Sequence, residues 1–138
     1  VQTFSPDIAA LRCALRHDFV AFASDEMELR RRVGLPPFGR LARIITSHPR
    51  DQVARESAEA VLLNIQATAE TLVMSNVEAL GPTPCVLTRL RGQYRYDLLL
   101  RTPDTAALSK LLGFMREKGL FRSKAKTTIV DVDPVQMT

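Results

Sequence analysis

The feature that most constrains the fold is the change in spacing of apolar residues between residues 40 and 133. Two segments carry apolar residues at helical spacing. The segments between them are rich in β-branched and alternating residues, as is typical of strands. The order is therefore strand, helix, strand, strand, helix, strand. We expect strands at 40–47, at 77–80 resuming at 85–91 after Gly81-Pro82-Thr83-Pro84, at 94–101 and at 127–133, with helices at 51–72 and 104–119.

This order predicts an α+β fold, the ferredoxin-like βαββαβ sandwich, with a four-stranded antiparallel sheet and two helices on one face. Both crossovers must be right-handed, which leaves few alternative topologies. The other sheet face is half apolar, so either the N-terminal helices or another domain covers it. The predicted core has Ala54, Ala58, Val61, Leu62, Ile65, Ala69, Leu72, Leu108, Leu111, Leu112 and Met115 facing Ala42, Ile44, Leu98, Leu100, Val130 and Val132.

Residues 1–37 precede this pattern and predict a helical segment. Val1–Phe4 resembles the end of a strand, and Ser5-Pro6 suits the start of a short helix that ends near His17. A second helix begins at Asp18 and ends at Gly34. Phe19 and Phe22 have core spacing, but the segment has too few apolar residues to form its own core. We expect residues 1–37 to pack on another part of a longer protein and residues 38–138 to form the sandwich domain.

The hairpin at residues 87–101 carries the candidate binding residues. A turn at Gly92-Gln93 would pair Arg91 with Tyr94 and Arg89 with Tyr96, and would place all four on one face. Arginine binds phosphate and tyrosine can stack on a base, so this tip is a candidate nucleic-acid contact. Two alternatives remain open. Each Arg can simply stack on a Tyr, and a turn at Arg91-Gly92 would regroup the faces.

Net charge supports a polyanionic partner. The chain of 138 residues has a formal charge of +4, and residues 85–138 hold ten Lys and Arg against five acids. The excess therefore follows the hairpin, although a solvated basic face without a partner has the same composition. The predicted nucleic-acid-binding residues are Arg89, Arg91, Tyr94, Arg95, Tyr96, Arg122, Lys124 and Lys126.

The sequence offers little for catalysis or metal binding. Cys13 and Cys85 lack the spacing of a zinc site, so reduced thiols in the cytoplasm are the expectation. Asp131 and Asp133 share a strand face without further ligands, and His48 has no triad partners. No Gly-x-x-x-x-Gly-Lys-Ser/Thr loop occurs, and no apolar run is long enough for a membrane span. The missing initiator Met suggests a piece of a longer protein.

Several motifs resemble one family at matching spacing. They are Leu35-Pro-Pro-Phe-Gly-Arg-Leu-Ala42, Leu80-Gly-Pro-Thr-Pro84, Arg89-Leu-Arg-Gly-Gln-Tyr-Arg-Tyr96 and Val130-Asp-Val-Asp-Pro134. Together they resemble the C-terminal domain of bacterial primosomal protein N′, the replication-restart DNA helicase. The opening Gln2-Thr-Phe-Ser-Pro-Asp7 is similar to the final strand of that family's second helicase lobe.

The resemblance implies a non-catalytic fragment that binds fork-like DNA during primosome assembly. The ATP, Mg and Zn cofactors of the family would belong to the rest of the protein, so none is expected here. Implied partners are DNA, the helicase lobes of the same chain and the acidic tail of single-stranded-DNA-binding protein. For the tail, the corresponding positions are Thr105 and Ser109, and the basic residue expected at Thr105 is missing. The fold also allows a free-standing RNA-binding or ribosomal-type protein, or a small acylphosphatase-like enzyme.

Overall fold

A computed structural model describes residues 8–134 of the chain. The predicted strand at Val1–Phe4 and the helix start at Ser5-Pro6 lie outside this range. Four helices and four strands follow in the predicted order. Their bounds are α1 Ala9–Leu15, α2 Phe19–Val33, β1 Arg40–His48, α3 Asp51–Thr71, β2 Glu78–Leu90, β3 Gln93–Thr102, α4 Thr105–Glu117 and β4 Thr127–Val132.

The four strands form one antiparallel sheet in the order β2-β3-β1-β4. The long connections through α3 and α4 join strands that are not neighbours in the sheet, and both helices pack on the same face. This arrangement is the ferredoxin-like sandwich, so the predicted fold class is confirmed.

The core lies between the sheet and these two helices. Ile44 and Leu100 are fully or almost fully buried from the sheet side, as are Val61 and Leu111 from the helix side. The predicted stripes of α3 and α4 therefore face the sheet as expected, because residues at i, i+3, i+4 and i+7 share a helix face. Val132 is the exception, since it is about half exposed near the end of the edge strand β4.

Side chains cap two helices where the sequence predicts it. Asp18 accepts a hydrogen bond from the backbone N–H of Ala21 at 3.0 Å, and Asp104 accepts one from Ala107 at 2.7 Å. Asp51 does not cap α3, although an aspartate at the start of a helix often does so. Asp51 is the first helical residue, and its carboxylate accepts a hydrogen bond from the Tyr96 hydroxyl instead.

Strand β2 is continuous, whereas the sequence predicts a break at Gly81–Pro84. The strand crosses this stretch by shifting its register against β3 between Leu80 and Thr83, and again between Pro84 and Arg89. Gly81 makes the first shift possible. Its φ is +110°, and a Cβ at this position would lie 2.8 Å from the carbonyl oxygen of Asp97.

The sheet face opposite to the helices carries a buried ion pair. Arg43 is 2% exposed and binds Asp97 through Nε at 2.9 Å and Nη2 at 2.6 Å. Asp97 also accepts a hydrogen bond from Thr83 at 2.8 Å, and buried Cys85 lies beside the pair. The register shifts in β2 place Thr83 and Cys85 on this face. These residues help to shield the charged pair from water, although no second layer of helices covers it.

The helical pair, defined as α1 and α2, does not cover the sheet. Within residues 8–134 the two helices pack on each other and neither packs on a strand. Of the two predicted alternatives for the open sheet face, cover by the N-terminal helices is therefore wrong for the described residues. At the end of α2, Arg101 of β3 donates to the carbonyl of Val33 and to the carboxylate of Glu78. Phe19 and Val20 are 76% and 78% exposed, so the prediction that Phe19 is a core residue is also wrong.

Candidate nucleic-acid interface

The β2–β3 hairpin turns at Arg91-Gly92. Both residues have positive φ, +50° for Arg91 and +76° for Gly92, as a type I′ turn requires. Arg89 therefore pairs with Tyr94 and Leu90 with Gln93. The predicted turn at Gly92-Gln93 and its pairs are wrong, and the alternative turn is the observed one. Type I′ geometry matches the twist of the two strands, and Gly92 accepts its positive φ without strain.

Tyr96 is unavailable as a stacking surface. It is 8% exposed and packs against Ala54 and Ala58 of α3. Its hydroxyl donates a 2.9 Å hydrogen bond to Asp51. Burial, and then the bond to the Asp51 carboxylate, raise the pKa of Tyr96 above its ordinary value. The expectation that Tyr96 contacts nucleic acid is corrected, because its ring belongs to the interior.

Tyr94 lies on the same sheet face and packs against the cluster formed by Tyr96, Ala54 and Ala58. It is half-buried, and the guanidinium of Arg89 lies 5.3 Å from the centre of its ring. Stacking of an Arg on a Tyr is one of the predicted alternatives, but the observed pair is Arg89–Tyr94 and not one of the pairs expected from a turn at Gly92-Gln93. Tyr94 and Tyr96 are in phase with Leu98 and Leu100, so strand alternation turns all four toward the helices.

The sheet brings the second basic segment to the hairpin end. Ser47 of β1 pairs with Arg95 on one side and with Thr127 on the other, and its carbonyl accepts the backbone N–H of Lys126 at 2.9 Å. The turn at Arg91-Gly92 and the end of the 122–126 loop at Lys126 therefore lie at one end of the sheet. We name this surface the basic end and define it by Arg89, Arg91, Arg95, Arg122, Lys124 and Lys126.

Most cations of the basic end are accessible to a ligand. Arg95 is half-buried and lies on the open sheet face, since it alternates with Tyr94. The remaining five are exposed, namely Arg89, Arg91, Arg122, Lys124 and Lys126. Both predicted basic segments are thus at the surface, and the second one reaches the hairpin end of the sheet at Lys126, which the sequence alone did not establish.

Two further residues lie at this end that the sequence did not predict as binding residues. His48 pairs with Tyr94 across the sheet, and Arg50 is exposed just before α3. The Nδ1 atom of His48 accepts the backbone N–H of Arg50 at 3.0 Å. Neither residue belongs to a run of basic residues. The sequence could have indicated their place at this end only through the predicted end of β1.

Acidic side chains at the start of α3 are already engaged. Asp51 accepts from Tyr96, Glu56 accepts from Gln52 at 2.9 Å, and Glu59 pairs with Arg55 at 3.0 Å. These acids therefore do not form ion pairs with the cations of the basic end, and the local charge stays positive.

Other candidate sites find less support. Asp133 pairs with Arg40 at 2.8 Å, and residues 8–134 contain no group of three or more His, Cys, Asp or Glu side chains placed to hold a metal. The side-chain amide of Asn64 donates to the carbonyl of Leu120 at 2.8 Å, so it is not available for acyl phosphate chemistry. Phe121, just before the 122–126 loop, is half-buried against the main core.

The cysteines are free thiols. Cys13 is half-buried and Cys85 is 2% exposed. Burial, and then the charge of Asp97, raise the pKa of the Cys85 thiol. Within the described range, no helix has both the length and the apolar character needed to cross a bilayer.

Comparison with known proteins identifies the family. The family model described as "Primosomal protein N C-terminal domain" matches residues 31–135. Proteins named replication restart protein PriA match the chain at 32% identity in Haemophilus influenzae and 27% in Bacillus subtilis. A probable PriA of Deinococcus radiodurans is 34% identical. These matches cover 100%, 99% and 97% of this chain, but only 18%, 17% and 14% of the respective relatives.

A solved structure is also similar. A de novo designed protein, Foldit4, matches with a TM-score of 0.47 and 13% identity, over 71% of this chain and 99% of that chain. The assignment rests on the sequence comparisons, because the family model covers most of the chain and the relatives match nearly all of it. The chain belongs to the family of the primosomal protein N C-terminal domain.

Proposed function

We propose that this chain is the non-catalytic, DNA-binding C-terminal part of a replication restart helicase. The observation that carries the proposal is the basic end, where two basic segments about 30 residues apart in sequence meet on one surface. Exposed arginines and lysines held on strand ends suit the phosphate backbone. The names of the relatives support the role in restart.

In this proposal the chain positions DNA and other parts of the longer protein do the chemistry. The basic end would hold a fork or a single-strand/double-strand junction by its phosphates while the helicase lobes use ATP, with the Mg and Zn of the family also held outside this chain. No cofactor is required at the basic end, since binding phosphate needs only the side chains described. The place of action is the cytoplasm, where bacterial DNA is replicated.

The helical pair supports contact with the rest of the same protein. The family model begins at residue 31, whereas full-length relatives also match the residues before it. Residues 9–30 form α1 and most of α2, and several of their large apolar side chains are exposed, among them Leu15, Phe19, Val20 and Leu29. We therefore assign residues 1–37 to a linker that packs on the preceding helicase lobe, and residues 38–138 to the DNA-binding domain.

Binding of an acidic protein tail receives support from Arg40. We propose that Arg40 takes the role of the basic residue missing at Thr105, since Arg40 Nε donates to Thr105 Oγ1 at 2.9 Å. Its Nη1 pairs with Asp133, so the guanidinium is held at the start of α4. This arrangement could bind the tail of single-stranded-DNA-binding protein through Arg40, and Arg40→Ala would weaken that binding without affecting DNA.

Titration of a labelled DNA fork tests the main proposal. We expect salt-sensitive binding, and we expect Arg91→Ala/Lys126→Ala to lower the affinity about tenfold at low salt. The matched control is Arg32→Ala/Lys110→Ala, which removes two exposed cations that lie on α2 and α4, outside the basic end. Equal affinity of the two double variants, or a flat salt dependence, would contradict the proposal. Tighter binding of an RNA duplex would favour the ribosomal-type alternative.

A further inference from the structure

We infer that the outer edge of strand β4 pairs with the same edge of a second copy of this chain. The two four-stranded sheets then join into one continuous antiparallel sheet. This association is independent of the proposed DNA binding. It follows from the backbone groups that β4 leaves open and from the side chains that lie beside them.

Strand β4 lies at an edge of the sheet and pairs with β1 alone. Among the helices and strands described for residues 8–134, β1 is also the only one that β4 contacts. The backbone N–H of Asp133 donates to the carbonyl of Leu41 at 2.7 Å, so these two residues form a hydrogen-bonded pair. Because such pairs alternate along an antiparallel ladder, every second residue of β4 bonds to β1. The backbone groups of Thr128, Val130 and Val132 therefore point outward, away from β1.

The opposite edge of the sheet is protected against a further strand. Strand β2 carries Pro82 and Pro84, neither of which has a backbone N–H, and its register against β3 shifts twice. In contrast, β4 keeps one register with β1 from Thr127 to Val132 and consists largely of β-branched residues. Natural proteins usually protect a regular edge of this kind, so an open one indicates a strand partner.

The side chains of β4 favour a second β4 as that partner. Val130 packs against the main core, so strand alternation places Thr127, Ile129 and Asp131 on the open sheet face. An antiparallel pairing centred on Ile129 sets this residue against Ile129 of the second copy. Ile129 is 52% exposed, and the contact removes its apolar surface from water. The same pairing sets each Thr127 hydroxyl against an Asp131 carboxylate, to which it can donate a hydrogen bond.

The open backbone groups agree with this register. It sets Thr128 against Val130 of the second copy, and both residues have N–H and C=O groups that point outward. Each symmetric pair of these residues can therefore exchange both of its N–H···O bonds. Ile129 then lies in a non-hydrogen-bonded pair, in which the Cα atoms approach to about 4.5 Å. A register shifted by two residues would set Ile129 against Asp131 and would lose the apolar contact.

Sedimentation equilibrium of the 138-residue chain tests the association. The interface is small, so we expect a dissociation constant of about 10 µM to 1 mM. Ile129→Lys should weaken the dimer at least about tenfold, because it sets two like charges against each other at the centre of the pairing. The control, Phe19→Ser/Val20→Ser, removes exposed apolar surface from the helical pair and should leave the dimer unchanged.

Two further measurements test the register. An equimolar mixture of Ile129→Lys and Ile129→Glu should restore association, since opposite charges then face each other. Restoration also requires that both variants are folded. In a Cys13→Ser background, Ile129→Cys should form a disulfide-linked dimer at least about tenfold faster than Leu63→Cys, because the close Cα atoms suit a disulfide. Leu63 is similarly exposed, at 64%, but lies on α3.

Three outcomes would overturn the inference. The first is a monomer at every concentration up to about 1 mM. The second is a dimer that Ile129→Lys leaves intact and that Phe19→Ser/Val20→Ser abolishes, because the helical pair would then join the two copies. The third is equal cross-linking of Ile129→Cys and Leu63→Cys, because β4 would then not face its own copy.

Discussion

The guanidinium of Arg43 donates two hydrogen bonds to a single carboxylate oxygen of Asp97, on the sheet face that no helix covers. The two side chains are only 3% and 12% exposed. A charged pair so well shielded from water must keep both partners, because the removal of one leaves the other charge buried. The pair joins the central strands β1 and β3, so it contributes to the register that places the basic end.

Asp97→Ala should destabilise the chain by about 3–5 kcal/mol, because it leaves the Arg43 charge without its carboxylate. Urea denaturation followed by circular dichroism measures this change. The control is Glu59→Ala, which breaks the exposed pair with Arg55 and should cost less than about 1 kcal/mol. Equal costs for the two variants would show that the Arg43–Asp97 pair is not shielded.

Tyr96→Phe should lower the free energy of unfolding by about 0.5–1.5 kcal/mol, since it removes the hydrogen bond to Asp51. The raised pKa of Tyr96 adds a pH dependence. The folded state holds the phenolic proton more tightly than the unfolded state, so this stabilisation is complete below the ordinary tyrosine pKa of about 10 and is lost as pH rises further.

Alkaline denaturation of the two proteins checks the second part. The stability difference between wild type and Tyr96→Phe should be constant from pH 7 to pH 9 and should shrink above about pH 10. A difference that grows with pH would contradict the assigned direction of the Tyr96 pKa.

Cys85 should resist alkylation in the folded chain, because it is buried and its pKa is raised. At neutral pH iodoacetamide should modify Cys13 first, and Cys85 should react only after addition of denaturant. Mass spectrometry after timed quenching distinguishes the two sites, and Cys13→Ser provides a chain with Cys85 alone. Rapid modification of Cys85 in that variant without denaturant would contradict the described burial.

Phe19→Ser/Val20→Ser should change the stability of this chain by no more than about 0.5 kcal/mol, because both side chains are exposed. The same change should reduce the fluorescence of a hydrophobic dye bound to the chain, since it removes apolar surface. The matched control, Leu111→Ala, creates a cavity in the core and should cost about 2–5 kcal/mol. A comparable loss in the double variant would show that Phe19 and Val20 are already packed.

Local patterns were sufficient to predict the elements and the fold class. The stripes of α3 and α4 and the caps at Asp18 and Asp104 depend on residues a few positions apart, so their signals are visible in the sequence. The course of β2 was not predictable in this way. Gly81-Pro82 can either end a strand or change its register. In β2 it changes the register, because β3 continues to pair with the residues after Gly81-Pro82.

The candidate site was predictable only in part. Arg89, Arg91 and the 122–126 loop were predictable as binding residues from their charge alone. Their position at the same end of the sheet was not. The burial of Tyr96 is signalled by its even spacing to Leu98 and Leu100, whereas its place near a hairpin turn favours exposure, so the sequence carries two conflicting signals at this residue. The roles of His48 and Arg50 required the sheet topology, because each is isolated in the sequence.

Strand β3 runs without interruption from Tyr94, next to the hairpin turn, to Arg101, which is bound to the last carbonyl of α2. Seven residue steps of an extended strand measure about 23 Å. The two ends of one strand thus face different neighbours, and β3 acts as a spacer of fixed length. Because β3 pairs with β2 and with β1 over this length, the residues next to the hairpin turn and the residue that contacts the end of α2 are held at a fixed separation within the sheet.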